Sequence, residues 1–217
     1  ENPFVILTAS PGSGKTTRVP AALLPITAKK ILVLEPRRLA AVSAAQRIAD
    51  EESWTVGKEI GYQVRFESRQ QDSTSIIFLT EALLLKKIIA DPLLSDVGVI
   101  ILDEFHERSQ HVDIALGLIK ELIELERPDL KLLIMSATLQ SESISSFLNQ
   151  APIISVPGQS FPLEIRRQKE SQLLTTGPQF IDRVIQKLTE AMILSSGHIL
   201  VFLPGLGEIE KMNEKIL

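Results

Sequence analysis

The strongest constraint on this 217-residue chain is a series of short apolar runs, rich in Ile, Val and Leu, separated by stretches of helical spacing. The runs are Phe4 to Ala9, Ile31 to Leu34, Ile76 to Leu79, Val97 to Leu102, Leu132 to Ser136, Ile153 to Val156 and Ile199 to Leu203. Most are apolar at successive positions, so both faces of the strand are buried, and strands covered on both faces by crossover helices belong to parallel sheets. Between them, Gly14 to Leu24, Arg37 to Glu51, Thr80 to Ala90, Val112 to Glu126 and Ser141 to Asn149 read as helices. The alternation predicts an α/β fold, a doubly wound, mostly parallel sheet with helices on both faces and ligands at the carboxyl ends of its strands.

Composition removes several alternatives. The chain is 44% hydrophobic but only 5% aromatic, which excludes disorder and argues against an aromatic-packed β-sandwich. It has no cysteine, so there is no disulfide framework, no Cys-ligated zinc and no thiol nucleophile. No apolar run reaches the roughly 18 residues of a membrane span and no presequence opens the chain; a soluble, cytoplasmic chain is expected. The net charge of −4 hides an uneven distribution. Residues 1 to 50 carry 7 basic and 3 acidic side chains, whereas residues 51 to 110 carry 6 and 11.

Pro157, Gly158, Pro162, Gly177 and Pro178 cluster around a short strand-like segment, Leu163 to Arg167. A first domain is therefore expected over 1–157 and a linker over 158–178. From 179 to 217 follow an amphipathic helix, Phe180 to Leu194, the run Ile199 to Leu203 and a helix start, Gly207 to Leu217. So few elements cannot bury a core of their own, and this tail is expected to open a second α/β domain that the chain does not complete.

Chemistry concentrates at the predicted strand ends. The first strand runs into Ala9-Ser10-Pro11-Gly12-Ser13-Gly14-Lys15-Thr16-Thr17, a phosphate-binding loop with Ala at its first position. There Gly12 and Gly14 let backbone N–H groups turn inward, Lys15 reaches the β/γ-phosphates and Thr16 holds magnesium. The strand Val97 to Leu102 ends in Asp103-Glu104-Phe105-His106. Asp103 then sits where a Mg²⁺ partner is needed, and Glu104 can accept a proton from, or orient, the attacking water; the alternative is that the pair caps a helix. Ser136 and Thr138 follow the strand Leu132 to Met135 and can either hydrogen-bond the acidic pair or cap the next helix. Arg37 and Arg38 close the second strand, where paired arginines can grip a phosphate backbone or stand solvated after Pro36. His106 and His111 are five apart, off one helix face, which argues against a metal pair.

The phosphate loop, Pro36-Arg37-Arg38, Thr80-Glu81, Asp103-Glu104-Phe105-His106 and Ser136-Ala137-Thr138 occur in one order that resembles the superfamily 2 DEAH/RHA RNA helicases. Leu34-Glu35-Pro36-Arg37-Arg38-Leu39-Ala40-Ala41 and Asp103-Glu104-Phe105-His106-Glu107-Arg108-Ser109 are most similar to the bacterial HrpB branch. The resemblance covers nearly the whole chain, Leu200-Val201-Phe202-Leu203-Pro204-Gly205 matching the start of the family's second RecA-like lobe. It implies a first RecA-like lobe that binds ATP or another NTP through Gly12, Ser13, Gly14, Lys15, Thr16 and Thr17. Arg47 would stack on the base, and Mg²⁺ would be held by Thr16, Asp103 and Glu104. Glu104 would polarise the water, and His106, Ser136 and Thr138 would couple hydrolysis to lobe movement. Arg37, Arg38, Thr80 and the Arg65-Phe66 turn would contact single-stranded RNA, mostly at phosphate and sugar. Phe105 stands where the name-giving motif has Ala. The family's later motifs, with their arginine fingers, lie outside this chain, which is therefore expected to hydrolyse nucleotide weakly. The expected function is that of an ATP-dependent RNA helicase, acting as a monomer and with its activator unspecified; the rivals are a P-loop NTPase that remodels DNA or protein and a nucleotide-sensing docking module.

Overall fold

Successive side chains of a strand stand on opposite faces of the sheet, and in this chain that alternation sorts apolar residues into two layers. A computed structural model describes residues 2–137, 141–157, 163–167, 178–194 and 196–216, and the chain divides into two compact units, 1–161 and 162–217. In the first unit, β1 (Phe4–Ala9), β2 (Lys30–Leu34), β3 (Ile60–Val64), β4 (Glu67–Arg69), β5 (Ile76–Leu79), β6 (Val97–Leu102), β7 (Lys131–Ser136) and β8 (Ile153–Val156) form one sheet. Their order is β4-β3-β5-β2-β6-β7-β1-β8, and every neighbouring pair is parallel except the β3–β4 hairpin.

Leu32, Leu34, Ile100, Leu102, Leu132 and Ile134 enter one apolar layer with α3 (Glu81–Ala90), α4 (Gln110–Leu125) and α5 (Ser141–Phe147). Their strand neighbours Ile31, Val33, Val99, Ile101, Leu133 and Met135 enter the other layer. There α2 (Arg38–Glu52) presents Ala41, Ala44, Ala45 and Ala49, small side chains that bring the helix close to the sheet, and α1 (Lys15–Ala22) contributes Val19. The expected parallel α/β sheet is therefore present, with the first six apolar runs among its strands.

One element is unexpected, and two expectations need correction. The hairpin β3–β4 escapes a reading by apolar runs, because Gly61 and Gln63 interrupt its pattern. Gly61 is there for a steric reason: a Cβ at this position would lie 2.3 Å from the carbonyl oxygen of Arg69 on the paired strand. Of the two corrections, the first is that β8 is not buried on both faces. Among the described residues it pairs only with β1, at the sheet edge, and Ile153, Ile154 and Val156 are exposed. Second, neither Leu163 to Arg167 nor Ile199 to Leu203 forms a strand. A strand needs a neighbour to satisfy its N–H and C=O groups, and the described residues of the second unit contain none. The described elements of that unit are α6 (Pro178–Leu194) and α7 (Leu206–Ile216), joined by an ion pair between Asp182 and Lys215.

At the end of the sheet remote from the strand carboxyl termini, buried Arg127 fixes the loop that leads into β6. Its guanidinium donates to the carbonyls of Leu93 (2.6 Å), Leu94 (2.8 Å) and Val97 (2.9 Å), and to Asp129 (2.8 and 2.9 Å). Hydrogen bonding from Arg127, reinforced by Lys29, holds the Asp129 carboxyl well below the usual range. Arg127→Ala leaves several carbonyls without this donor, each costing about 1–3 kcal/mol when buried. The expected loss is about 3 kcal/mol of stability, most of it from those carbonyls, measured by urea unfolding.

Candidate functional site

Because the strands run parallel, the loops after β1, β2, β5, β6 and β7 all reach one edge of the sheet. After β1 the chain turns back on itself, the Ser13 N–H donating to the Ser10 carbonyl (3.2 Å). Gly12 and Gly14 have φ of 77° and 79°, the left-handed conformation that glycine adopts without strain. The turn delivers Lys15 and Thr16 to the first turn of α1, whose N–H groups and dipole favour an anion.

From the middle of the sheet, β6 brings Asp103 to the same place. The Asp103 N–H donates to the carbonyl of Leu34 on β2 (3.0 Å), which fixes the residue where its strand ends. The Thr16 hydroxyl donates to Asp103 Oδ2 (2.5 Å), and the Glu104 N–H donates to Asp103 Oδ1 (2.8 Å). Lys15 Nζ donates to Glu104 Oε1 (2.9 Å). On its other side Glu104 Oε2 lies 3.3 Å from His106 Nδ1, to which the Ala137 N–H also points at 3.4 Å. Nδ1 serves one of these at a time: protonated, it donates to Glu104; unprotonated, it accepts from Ala137. The sequence-predicted Lys15, Thr16, Asp103, Glu104 and His106 thus converge, with buried Ser136 at the end of β7. Thr138 lies outside the described residues.

The hydroxyl of Thr16 and the carboxylate of Asp103 form a pair of hard oxygen donors. That suits magnesium, which takes one or two protein ligands and completes its shell with phosphate and water. Among the described residues no group of three or more His, Asp or Glu side chains converges into a metal cage of protein ligands alone.

The edge over β3, β5 and β2 has a different character. Arg37, just before α2, donates through Nη2 to Glu107 Oε1 (2.6 Å), and Arg38 donates through Nη2 to Glu67 Oε2 (3.1 Å). The Tyr62 hydroxyl donates to the other oxygen of Glu67 (2.5 Å). Arg65 and Phe66 form the tip of the β3–β4 hairpin, the guanidinium 4.7 Å from the ring centroid, and Phe66 is 88% exposed with φ of 68°. Thr80 precedes α3 in extended conformation. Arg47 lies on the exposed side of α2, paired with Glu51 (2.6 Å).

Four further carboxylates, Glu35, Glu67, Glu81 and Glu107, join this edge without any role foreseen in the sequence. The one sequence signal for Glu35 is a carboxylate directly following the apolar run Ile31 to Leu34. It is buried, and burial first, then the charges of Asp103, Glu104 and Glu107, pushes its carboxyl up to about 8, against a favourable backbone N–H of Arg37. Burial likewise raises the Asp103 carboxyl, opposed by hydrogen bonds from Thr16 and the Glu104 N–H.

The sequence profile of the DEAD/DEAH box helicases matches residues 1–147. The chain is 42% identical to the ATP-dependent RNA helicase HrpB of Escherichia coli (strain K12) over 216 residues, covering 99% of this chain and 26% of that protein. It is 40% identical to the probable ATP-dependent RNA helicase DHX40 of Homo sapiens over 229 residues, covering 99% of this chain and 29% of that protein. The crystal structure of Escherichia coli DEAH/RHA helicase HrpB superposes with a TM-score of 0.87 over 99% of this chain and 27% of that one. The chain therefore spans between a quarter and a third of the length of these curated relatives.

The raised Glu35 carboxyl has a consequence for stability. The folded chain keeps a proton that the unfolded chain releases, so the contribution is full below the ordinary value of 4.5 and is lost as pH rises toward about 8. In magnesium-free buffer, Glu35→Gln should flatten the decline in unfolding free energy across that window, measured by urea titrations at a series of pH values.

Proposed function

Since the chain belongs to the DEAD/DEAH box helicases, we propose that it is the first, nucleotide-binding RecA-like lobe of a DEAH/RHA-type RNA helicase. In this reading the linker spans 158–178, residues 179–217 open the second lobe, and the protein works in the cytoplasm. The observation that carries the reading is the convergence of Lys15 and Thr16 from α1 on Glu104 and Asp103 from the end of β6.

The phosphate loop presents backbone N–H groups, the helix dipole and the Lys15 ammonium to the triphosphate of ATP. Thr16 and Asp103 would hold magnesium, which would supply positive charge against the triphosphate. Phosphate oxygens compete with Glu104 for Lys15. Once released from Lys15, the Glu104 carboxylate orients the attacking water and accepts its proton. His106, between Glu104 and Ala137, carries the state of that carboxylate to the segment from Ser136, the last residue of β7, to Thr138. Arg37, Arg38, Thr80, Arg65 and Phe66 line the neighbouring stretch of the same edge, where a single strand of RNA lies with its phosphates on the arginines. In the family, closure by the second lobe supplies arginine fingers, so this chain alone binds ATP better than it hydrolyses it.

Two measurements test the reading. Lys15→Ala should weaken Mg·ATP binding by at least about tenfold, from the roughly 1.5–3 kcal/mol of a charge-assisted hydrogen bond, with calorimetry as the check; unchanged affinity would exclude the phosphate-loop assignment. Replacing Arg37 and Arg38 together with Gln should weaken binding of a single-stranded RNA oligonucleotide and flatten its salt dependence by roughly 0.7 in log–log slope for each phosphate no longer neutralised. Unaltered RNA affinity would favour remodelling of another substrate.

A further inference from the structure

The two stretches of the sheet edge meet where β2 and β6 lie side by side. There, one short segment touches both. It begins at Glu104, passes through the 3-10 turn Phe105–Glu107 and reaches Ser109, which caps α4 by accepting from the Val112 N–H (3.1 Å). Its inner end contacts the phosphate-loop Lys15 and the Ala137 backbone through Glu104 and His106. Its outer end makes two contacts with the segments assigned to RNA: Glu107 accepts from Arg37 (2.6 Å), and the Ser109 hydroxyl donates to Glu81, next to Thr80 (2.6 Å). The turn is bracketed by two non-glycine residues with positive φ, Glu104 at 47° and Arg108 at 42°. Such residues are strained and persist only where surrounding contacts hold them, so the ion pair and hydrogen bond at the outer end help set the conformation at the inner end.

We propose that Glu107 is a positioning residue that exchanges with RNA for Arg37, and that this exchange links strand binding to the placement of Glu104 at the nucleotide. The inference rests on the assignment of Arg37 to RNA made above. The Arg37 side chain is largely exposed, and its pair with Glu107 is a surface pair, which binds weakly enough in water to be displaced. A phosphate diester offers the Arg37 Nη2 group an oxygen in place of Glu107 Oε1, and its negative charge repels the Glu107 carboxylate, so the two anions compete for that donor. When phosphate claims Arg37, Glu107 is left without its partner, and the turn that carries Glu104 and His106 loses one of its outer contacts while Ser109 keeps its bond to Glu81. Seen from the other side, phosphate on Lys15 releases Glu104 and frees the same turn at its inner end. The two ligands therefore act on one element, and linkage requires each to alter the other's affinity by the same factor.

The test measures binding of a fluorescent oligouridylate to this chain by anisotropy, with and without Mg²⁺ and a non-hydrolysable ATP analogue. The wild-type chain should show an analogue-dependent change in RNA affinity of about 5- to 150-fold, the usual span of such couplings. Glu107→Gln should tighten RNA binding several-fold without analogue, because Arg37 no longer has a competitor, and should reduce the coupling to within about twofold of unity. Ser109→Ala should reduce the coupling in the same direction without the gain in RNA affinity, since Arg37 keeps its partner. Arg37→Gln separates the two readings. If it leaves RNA affinity unchanged, the assignment of Arg37 to RNA is wrong. If it weakens RNA binding while Glu107→Gln changes neither RNA affinity nor coupling, Arg37 contacts RNA but the exchange does not occur, and the proposal is overturned.

Discussion

The parallel pairing of β6 between β2 and β7 sets the position of everything at the functional edge. Strands buried on both faces have no water for their N–H and C=O groups, so each group must find its partner in the ladder, and a slip of one residue would turn every side chain to the opposite face. Register is consequently fixed by residues such as Ile100 and Ile101, which belong to different apolar layers. The last ladder bond, from the Asp103 N–H to the Leu34 carbonyl, places the first acidic residue at the sheet edge. Arg127 secures the other end of the same strand through three carbonyls near its start. Residues 15 and 104 therefore meet at 2.9 Å although 89 positions separate them in the chain.

Three cations of this edge share one arrangement. Lys15 is paired with Glu104, Arg37 with Glu107 and Arg38 with Glu67. Each carboxylate offers oxygens much as a phosphate does, so each pair holds its cation in place and also competes with an anionic ligand for it. Burial raises the Glu35 carboxyl most, and the same grouping places Asp103, Glu104 and Glu107 close enough to raise it further. Added negative phosphate is tolerated here only with compensating positive charge, which is the physical reason for proposing a magnesium ion beside the nucleotide. The overall charge of −4 is thus no guide to the ligands of the chain.

Much of this is legible in the sequence for an identifiable reason. Strands buried on both faces have an unbroken apolar signature, and a phosphate loop needs glycines in left-handed conformation at fixed spacing, so Phe4–Ala9 with Gly12 and Gly14, and Val97–Leu102 with Asp103 and Glu104, can be read directly. The β3–β4 hairpin cannot, because its pattern is broken by Gly61, whose identity reflects the approach of Arg69 from another strand. Strand propensity also misleads at Ile199 to Leu203, where β-branched and apolar residues are present but no partner strand occurs among the described residues of that unit.

Local sequence by itself determined most of the elements of the first unit, the glycine-rich loop proposed to take phosphate and the residue types at the strand ends, because those properties depend on side chains a few positions apart. Only the tertiary structure decided who meets whom. The contacts Thr16 with Asp103, Arg37 with Glu107, Arg38 with Glu67 and Ser109 with Glu81 join residues 28 to 87 positions apart, and they exist because the strand order folds distant strand ends onto one edge. No periodicity along the chain encodes that order.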